Sequence, residues 1–388
     1  MKMRKVTILI NPSRSYTRGI LKGIARFSSI QGLWTMYRPL EYRESKRRHK
    51  LIQVLKDLKP DGILMREPKE IDEIRKLRIP TIIFPYTQNS ISGFVNVAVD
   101  HVAVGEMAAH HFLQKGYKRF AYCGFDDWWW SRERRDGFCE IIKQKGYEPL
   151  IYHPPKAKSH RSWEKELPLI AVWLTNLPHP VGVLACNDDR GELVIEACKI
   201  VGLSVPDQIA VLGVDNDELV CDLSSPPLSS IQLSLERAGY DAAALLDSMM
   251  SSKFIRKDKE QSITIHPMHV IERQSTDILA IEDPDLAAAI RFIRQHTKKP
   301  LQVIDVVEHV NISRRVMEKR FRKLLGHSIQ SEICCARIGY ITKLLVETQM
   351  PVTEIAYIMG FPGNSQLSRY FSKAIGMSPI AYRQKYCS

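Results

Sequence analysis

Two segments near the C-terminus repeat one plan: VIDVVEHVNISRRVMEKRF from Val303 to Phe321, and VTEIAYIMGFPGNSQLSRYF from Val352 to Phe371. Each reads as a short amphipathic helix, a tight turn and a second amphipathic helix. The closing phenylalanines lie 50 residues apart, which leaves room for one long connecting helix. The C-terminal part of the chain must then be helical. A tandem pair in one polypeptide can also reach two adjacent major grooves, which predicts sequence-specific DNA binding.

In the first unit Val303, Val306, Val307 and Val310 form an apolar face, Asn311-Ile312 makes the turn, and Ser313 is placed to cap the next helix. That helix is expected to turn Val316, Met317, Phe321 and Leu324 inward and Arg314, Arg315, Glu318, Lys319, Arg322 and Lys323 outward, with Gly326 as its stop. In the second unit Thr353 is expected to cap a helix carrying Ile355, Ala356 and Ile358, which Gly360 ends. Gly363 and Asn364 then lead into a helix with Leu367, Tyr370, Phe371 and Ile375 buried and Ser365, Ser368, Arg369, Ser372 and Lys373 exposed. Between them Ile329–Glu347 is periodic throughout; holding the recognition helices about 34 Å apart, it would seat them in successive grooves. One such string could be a pair of helices with solvated faces. Two copies with matching turns and aromatic anchors favour base readout, which uses Arg, Lys, Ser and Asn groups.

The charge falls where phosphate binding needs it. The 388 residues carry a net +13, and from Glu282 onward 16 Lys/Arg face 9 Asp/Glu, about three times more basic per residue than the rest. No apolar run has the length of a membrane span. Val6–Ile10 is too brief for a signal-peptide core and reads as a first buried strand, so the protein is expected in the cytoplasm. The eight cysteines lack disulfide-framework or metal-ligand spacing and read as reduced thiols. There is no G-x-S-x-G, Walker A or H-E-x-x-H motif, and His110-His111 has the wrong spacing for one metal, so neither an enzyme nor a metal or other cofactor is expected.

The first 275 or so residues alternate apolar runs with helical periodicity. Strands are expected at Val6–Ile10, Gly62–Met65, Thr81–Phe84, Val95–Val99, Arg119–Cys123, Gly182–Cys186 and Ala210–Val214. Helices are expected at Arg18–Ser28, Ile52–Leu58, Val104–Lys115, Arg134–Gln144, Leu167–Leu177 and Gly191–Ile200. This alternation predicts doubly wound parallel sheets, and its restart near Lys118 predicts two lobes with a ligand between them. The domains are therefore read as a sensor over 1–275, a linker over 276–285 and an all-α DNA-binding domain over 286–388. Its helix-turn-helix motifs fall at about 303–325 and 352–375, and its first helix begins at Leu286 behind Asp285. Polar residues recur at strand ends, Asp100, Asn187-Asp188 and Asp215, where open α/β sheets bind ligands; each could instead be a turn or cap. Trp128–Trp130 could stack on a sugar, cover a dimer contact, or pack in the core.

Residues 304–383 resemble the DNA-binding domain of AraC-type transcription regulators, on VTEIAYIMGF and FSKAIGMSPIAYR. The resemblance implies base contacts from Arg315, Glu318 and Lys319, with Arg314 beside them, and from Asn364, Ser365, Ser368 and Arg369. Residues 5–275 resemble the periplasmic-binding-protein-like sensor of LacI-type repressors, on VTILINPSRSYTRGILKGIA, VDHVAVGEMAAHHFLQKGYKRFAYCG, VGVLACNDD and IAVLGVDNDEL, without an N-terminal DNA-binding headpiece. That resemblance implies ligand contacts from Ser13, Arg14, Tyr16, Asp100, Arg134, Asn187, Asp188 and Asp215, with Trp128 in the adjoining loop. The combination is similar to that of the xylose-operon regulators. It implies a sugar-responsive homodimer on operator DNA, activating catabolic genes through RNA polymerase in response to xylose or a related sugar. The alternatives are a regulator that represses and the sugar-binding protein of a transporter.

Overall fold

The computed structural model describes residues 3–31, 34–38, 50–155, 162–251, 262–277, 283–348 and 350–386, so part of the expected linker (278–282) lies outside the described residues. It divides into two compact units, Met1–Ala280 and Ile281–Ser388.

The first unit contains two six-stranded sheets among the described residues. The strands are β1 (Arg4–Leu9), β2 (Trp34–Tyr37), β3 (Gly62–Arg66), β4 (Thr81–Phe84), β5 (Val95–Val99), β6 (Phe120–Cys123), β7 (Leu150–Tyr152), β8 (Val181–Ala185), β9 (Ile209–Val214), β10 (Ser229–Leu233), β11 (Ser262–Ile265) and β12 (Pro267–Ile271). The orders are β11-β5-β4-β3-β1-β2 and β12-β10-β9-β8-β6-β7. Every pairing is parallel except β10 with the edge strand β12.

Apolar runs became strands because helices cover both faces, so each strand must be apolar on both. Along β3, Leu64 joins the cluster under helices Ser15–Ile30 and Leu235–Ser251. Its neighbours Ile63 and Met65 join the opposite one, with Leu51, Leu55 and Ile74. In the second sheet Ala210, Leu212 and Val214 alternate in the same way with Ile209 and Val211. The chain crosses between sheets after β5, after β10 and between β11 and β12. The crossings lie side by side: Asp100 N donates to Ile265 O at 3.0 Å, and Ser234 N to His266 O at 3.0 Å.

The second unit is helical. Pro284–Gln295 is followed by the pair Val303–His309 and Arg314–Leu325, the long helix Ile329–Glu347, the pair Val352–Ile358 and Asn364–Ile375, and Pro379–Tyr386. It has two cores. The long helix gives Ile329 and Ile333 to the first, with Val306, Met317 and Phe321. To the second it gives Ile338, Ile341 and Leu345, with Ile355, Leu367 and Phe371. Arg337, 6% exposed, joins the halves: it donates to Lys299 O and to Met359 O (2.6 Å), under the ring of Phe361.

Several local expectations need correction. Val316 and Leu324 are exposed, at 43% and 52%; Met317 and Phe321 lie on the inward stripe, and Leu325 rather than Leu324 closes it. The carboxylate of Asp283, not Asp285, caps the first helix by accepting from Asp285 N and Leu286 N. Thr353 lies inside its helix, behind Pro351 at the cap position. Ser313 holds its cap position without a side-chain bond. Gly326 and Gly376 end both recognition helices with φ of 77° and 81°, a left-handed turn that suits glycine.

Candidate functional site

The carboxyl ends of both sheets converge on a cavity of about 390 Å³. After β1 the chain turns on Asn11, whose Oδ1 accepts from Ser13 N at 3.1 Å, and brings Ser13, Arg14, Ser15 and Tyr16 to the wall. β3 ends in Arg66, β4 leads into Pro85 and Tyr86, and β5 into His101. The second sheet supplies Trp129, Trp130 and Arg134 after β6, Asn187–Asp189 after β8, and Asp215 and Asp217 after β9. Four aromatic side chains thus line the cavity among many hydrogen-bonding groups, the composition a sugar needs.

Arg134 is the organising side chain. At 3% exposed, it donates from Nη2 to Asp215 Oδ1 at 3.2 Å, from Nη1 to Cys186 O, and from Nε to His101 Nδ1 at 3.2 Å. Because His101 accepts at Nδ1, its proton sits on Nε2. Burial, then the Arg134 charge, holds the imidazole well below its ordinary pKa, so it is neutral. Burial lifts the Asp215 carboxyl by more than Arg134 lowers it. Asp188 is raised further, first by burial and then by Asp215, although its oxygens accept from Asp217 N (2.6 Å) and Ser230 Oγ (2.5 Å). The two walls also touch directly: Arg14 pairs with Asp189, Arg18 with Asp217 (2.7 Å), and Trp129 Nε1 donates to Tyr86 O (2.8 Å).

Seven of the sequence-derived ligand candidates line this cavity: Ser13, Arg14, Tyr16, Arg134, Asn187, Asp188 and Asp215. Two do not. Asp100 turns to its own helix, accepting from Ala103 N at 3.0 Å as the N-cap of His101–Gln114, and the next residue, His101, reaches the wall. Trp128 is the cap residue of Trp129–Gln144 and packs on Tyr86 at 4.7 Å, while the helical Trp129 and Trp130 turn to the cavity. Sequence reading also passed over Arg66, Tyr86, Asp189 and Asp217. Their signal was position: each lies at, or shortly beyond, the end of a buried apolar run.

In the second unit the recognition helices present the expected groups. Arg314, Arg315, Lys319, Asn364, Ser365 and Arg369 are exposed. Ser368 is half-buried, its hydroxyl 3.1 Å from Asn364 Oδ1. Glu318 is half-buried, with no hydrogen-bond partner for its Oε2 among the described residues. Arg320 turns the other way and ties the first recognition helix to Asp283 (3.0 Å) and Asp285 (2.9 Å).

Comparison with known proteins matches both parts. Residues 109–276 fit the periplasmic binding protein-like domain family, and residues 306–385 a helix-turn-helix domain family. The xylose operon regulatory protein of Haemophilus influenzae is 30% identical over 388 residues, covering 98% of each chain. That of Escherichia coli K12 is 29% identical over 395 residues, covering 98% of this chain and 97% of its own. A solved structure described as a xylose-binding transcription activator superposes with a TM-score of 0.76 at 26% identity, covering 100% of both chains. A LacI family regulator from Enterococcus faecium with bound ribose shares the fold of the first unit: TM-score 0.57, 16% identity, 72% of this chain and 100% of its own. Fold class and the pairing of a sugar sensor with an AraC-type helix-turn-helix output are as the sequence led one to expect. This chain belongs to the family of xylose operon regulatory proteins, sugar-responsive DNA-binding regulators of transcription.

Proposed function

We propose that a monosaccharide bound in the cavity of the first unit sets the affinity of the second unit for operator DNA. The observation that carries this is the cavity wall, which Tyr16, Tyr86, Trp129 and Trp130 line together with Arg134, Asn187, Asp188 and Asp215. Aromatic faces take the C–H surface of a sugar ring, and the polar groups take its hydroxyls. The relatives carry the name of D-xylose, whose pyranose ring is the frame these groups would recognise. His101 would donate its Nε2 proton, Arg134 its guanidinium protons, and Asp215 and Asn187 would accept. The sensor would span 1–275, the linker 276–285 and the DNA-binding domain 286–388.

In the same reading Arg314, Arg315, Glu318 and Lys319 contact one major groove, and Asn364, Ser365, Ser368 and Arg369 the next. Sugar would favour one arrangement of a homodimer on paired half-sites, a population shift driven by differential affinity. It would act in the cytoplasm and through RNA polymerase, as an activator, the role printed for one solved relative. Calorimetry of the full chain with D-xylose, D-ribose, L-arabinose and D-glucose tests the sensor assignment. Binding of at least one, or of D-glucuronate, weakened about tenfold or more by Asp215→Asn, supports it; no heat with any of these sugars contradicts it.

A further inference from the structure

Each cation that lines the cavity has a carboxylate partner except Arg66, counted among the described residues. Arg14 pairs with Asp189 and Arg134 with Asp215. Arg66 closes β3 half-buried, with the Tyr86 ring 4.8 Å and the Tyr16 ring 5.3 Å from its Cζ. Its charge also opposes the rise that burial gives the Tyr16 hydroxyl pKa. The adjacent Glu67 feels the Arg66 charge but makes no ion pair with it among the described residues; its oxygens accept from Tyr86 N (2.8 Å), Thr87 N (2.7 Å) and the Thr87 hydroxyl. A guanidinium has five donors in a rigid planar fork, which matches a carboxylate two bonds at a time. With aromatic rings beside it, the Arg66 guanidinium lies in a partly desolvated wall, where an anion would be held more strongly than in water.

Resting on the reading that the cavity holds a monosaccharide, we propose that Arg66 is the anchor for an anionic substituent on that sugar and that the preferred effector is a hexuronate. The chemistry is additive. D-glucuronate keeps the three ring hydroxyls of D-xylopyranose beyond the anomeric carbon and adds a carboxylate at C5. The groups that recognise the ring, Arg134, His101, Asn187 and Asp215, stay in use while Arg66 takes the new charge.

Calorimetry of the full chain at matched ionic strength, with D-xylose, D-glucuronate and D-glucose 6-phosphate, tests this. The expected result is glucuronate bound about tenfold or more tightly than xylose, as one charge-assisted bidentate pair warrants. The glucuronate-to-xylose ratio should collapse toward one in Arg66→Gln and fall only partly in Arg66→Lys, which keeps the charge and loses the fork. Thermal melting of each variant confirms its fold, and the wild-type ratio stands without them. Equal affinities, a preference for xylose, or a preference for the phosphate sugar over glucuronate would overturn the proposal and leave the sugar-sensing reading intact. Silence from all three would overturn the proposal, and silence from D-ribose, L-arabinose and D-glucose as well would overturn the sugar-sensing reading.

Discussion

Arg134 donates to three acceptors on three different stretches of chain, at Asp215, Cys186 and His101. Removing it leaves Asp215 in the wall without its countercharge. Arg134→Met should therefore destabilise the first unit by about 3 kcal/mol, the cost of orphaning a buried partner, read as a shift in urea midpoint; a loss below about 1 kcal/mol would mean water replaces the guanidinium. Two histidines on one helix give the pH response. Burial, then Arg134, depresses the His101 pKa; burial also lowers His111 to about 4, opposed by Glu272 and reinforced by Lys115. Both stay neutral in the fold, while the unfolded chain protonates them near pH 6.5. The stability they contribute is complete above that pH and is lost as pH falls through it, by up to about 1.4 kcal/mol per pH unit for each group. For His111 the loss levels off near pH 4. Urea unfolding on either side of pH 6.5 should show this slope, and His111→Gln should flatten it.

Among elements, the helices Ser15–Ile30 and Leu235–Ser251 cross closely through Gly23 and Gly239. A Cβ on Gly239 would meet Ile20 O at 2.1 Å, and one on Gly23 would meet Glu236 O at 2.0 Å. Gly239→Ala should force the pair apart and lower stability by about 1–3 kcal/mol, measured by thermal unfolding. The same helix shows why part of the fold escaped sequence reading. In LERAGYDAAALLDSMMS a mid-helix glycine and small residues weaken the local signal, yet they are what close packing requires. Most inner strands were legible because both faces are buried, although the buried β10 was not expected; the edge strands β2 and β7 carry half-exposed residues and were not expected either. The site was legible in kind but displaced by one residue at two places. Asp100 and Trp128 satisfy helix starts, and the periodicity that marks a helix start does not say which neighbour turns inward. Val316 is the analogous case in the recognition helix, where an exposed valine stands beside Arg315.

At the scale of the whole molecule, one chain carries an input cavity and an output pair, each with its own packed core. The output should read sequence through side chains rather than charge alone. Arg315→Ala is expected to cost about 1–3 kcal/mol on selected operator DNA and much less on random DNA, measured by fluorescence anisotropy at fixed salt; an equal loss on both would assign Arg315 to a phosphate. The central claim is that cavity and recognition helices are coupled, and its most direct measure is operator affinity of the full chain with and without sugar. Operator selected from random DNA by the protein itself should bind about tenfold or more differently once sugar saturates the cavity, a coupling of about 1.4 kcal/mol. Operator affinity unchanged at saturating sugar would contradict it.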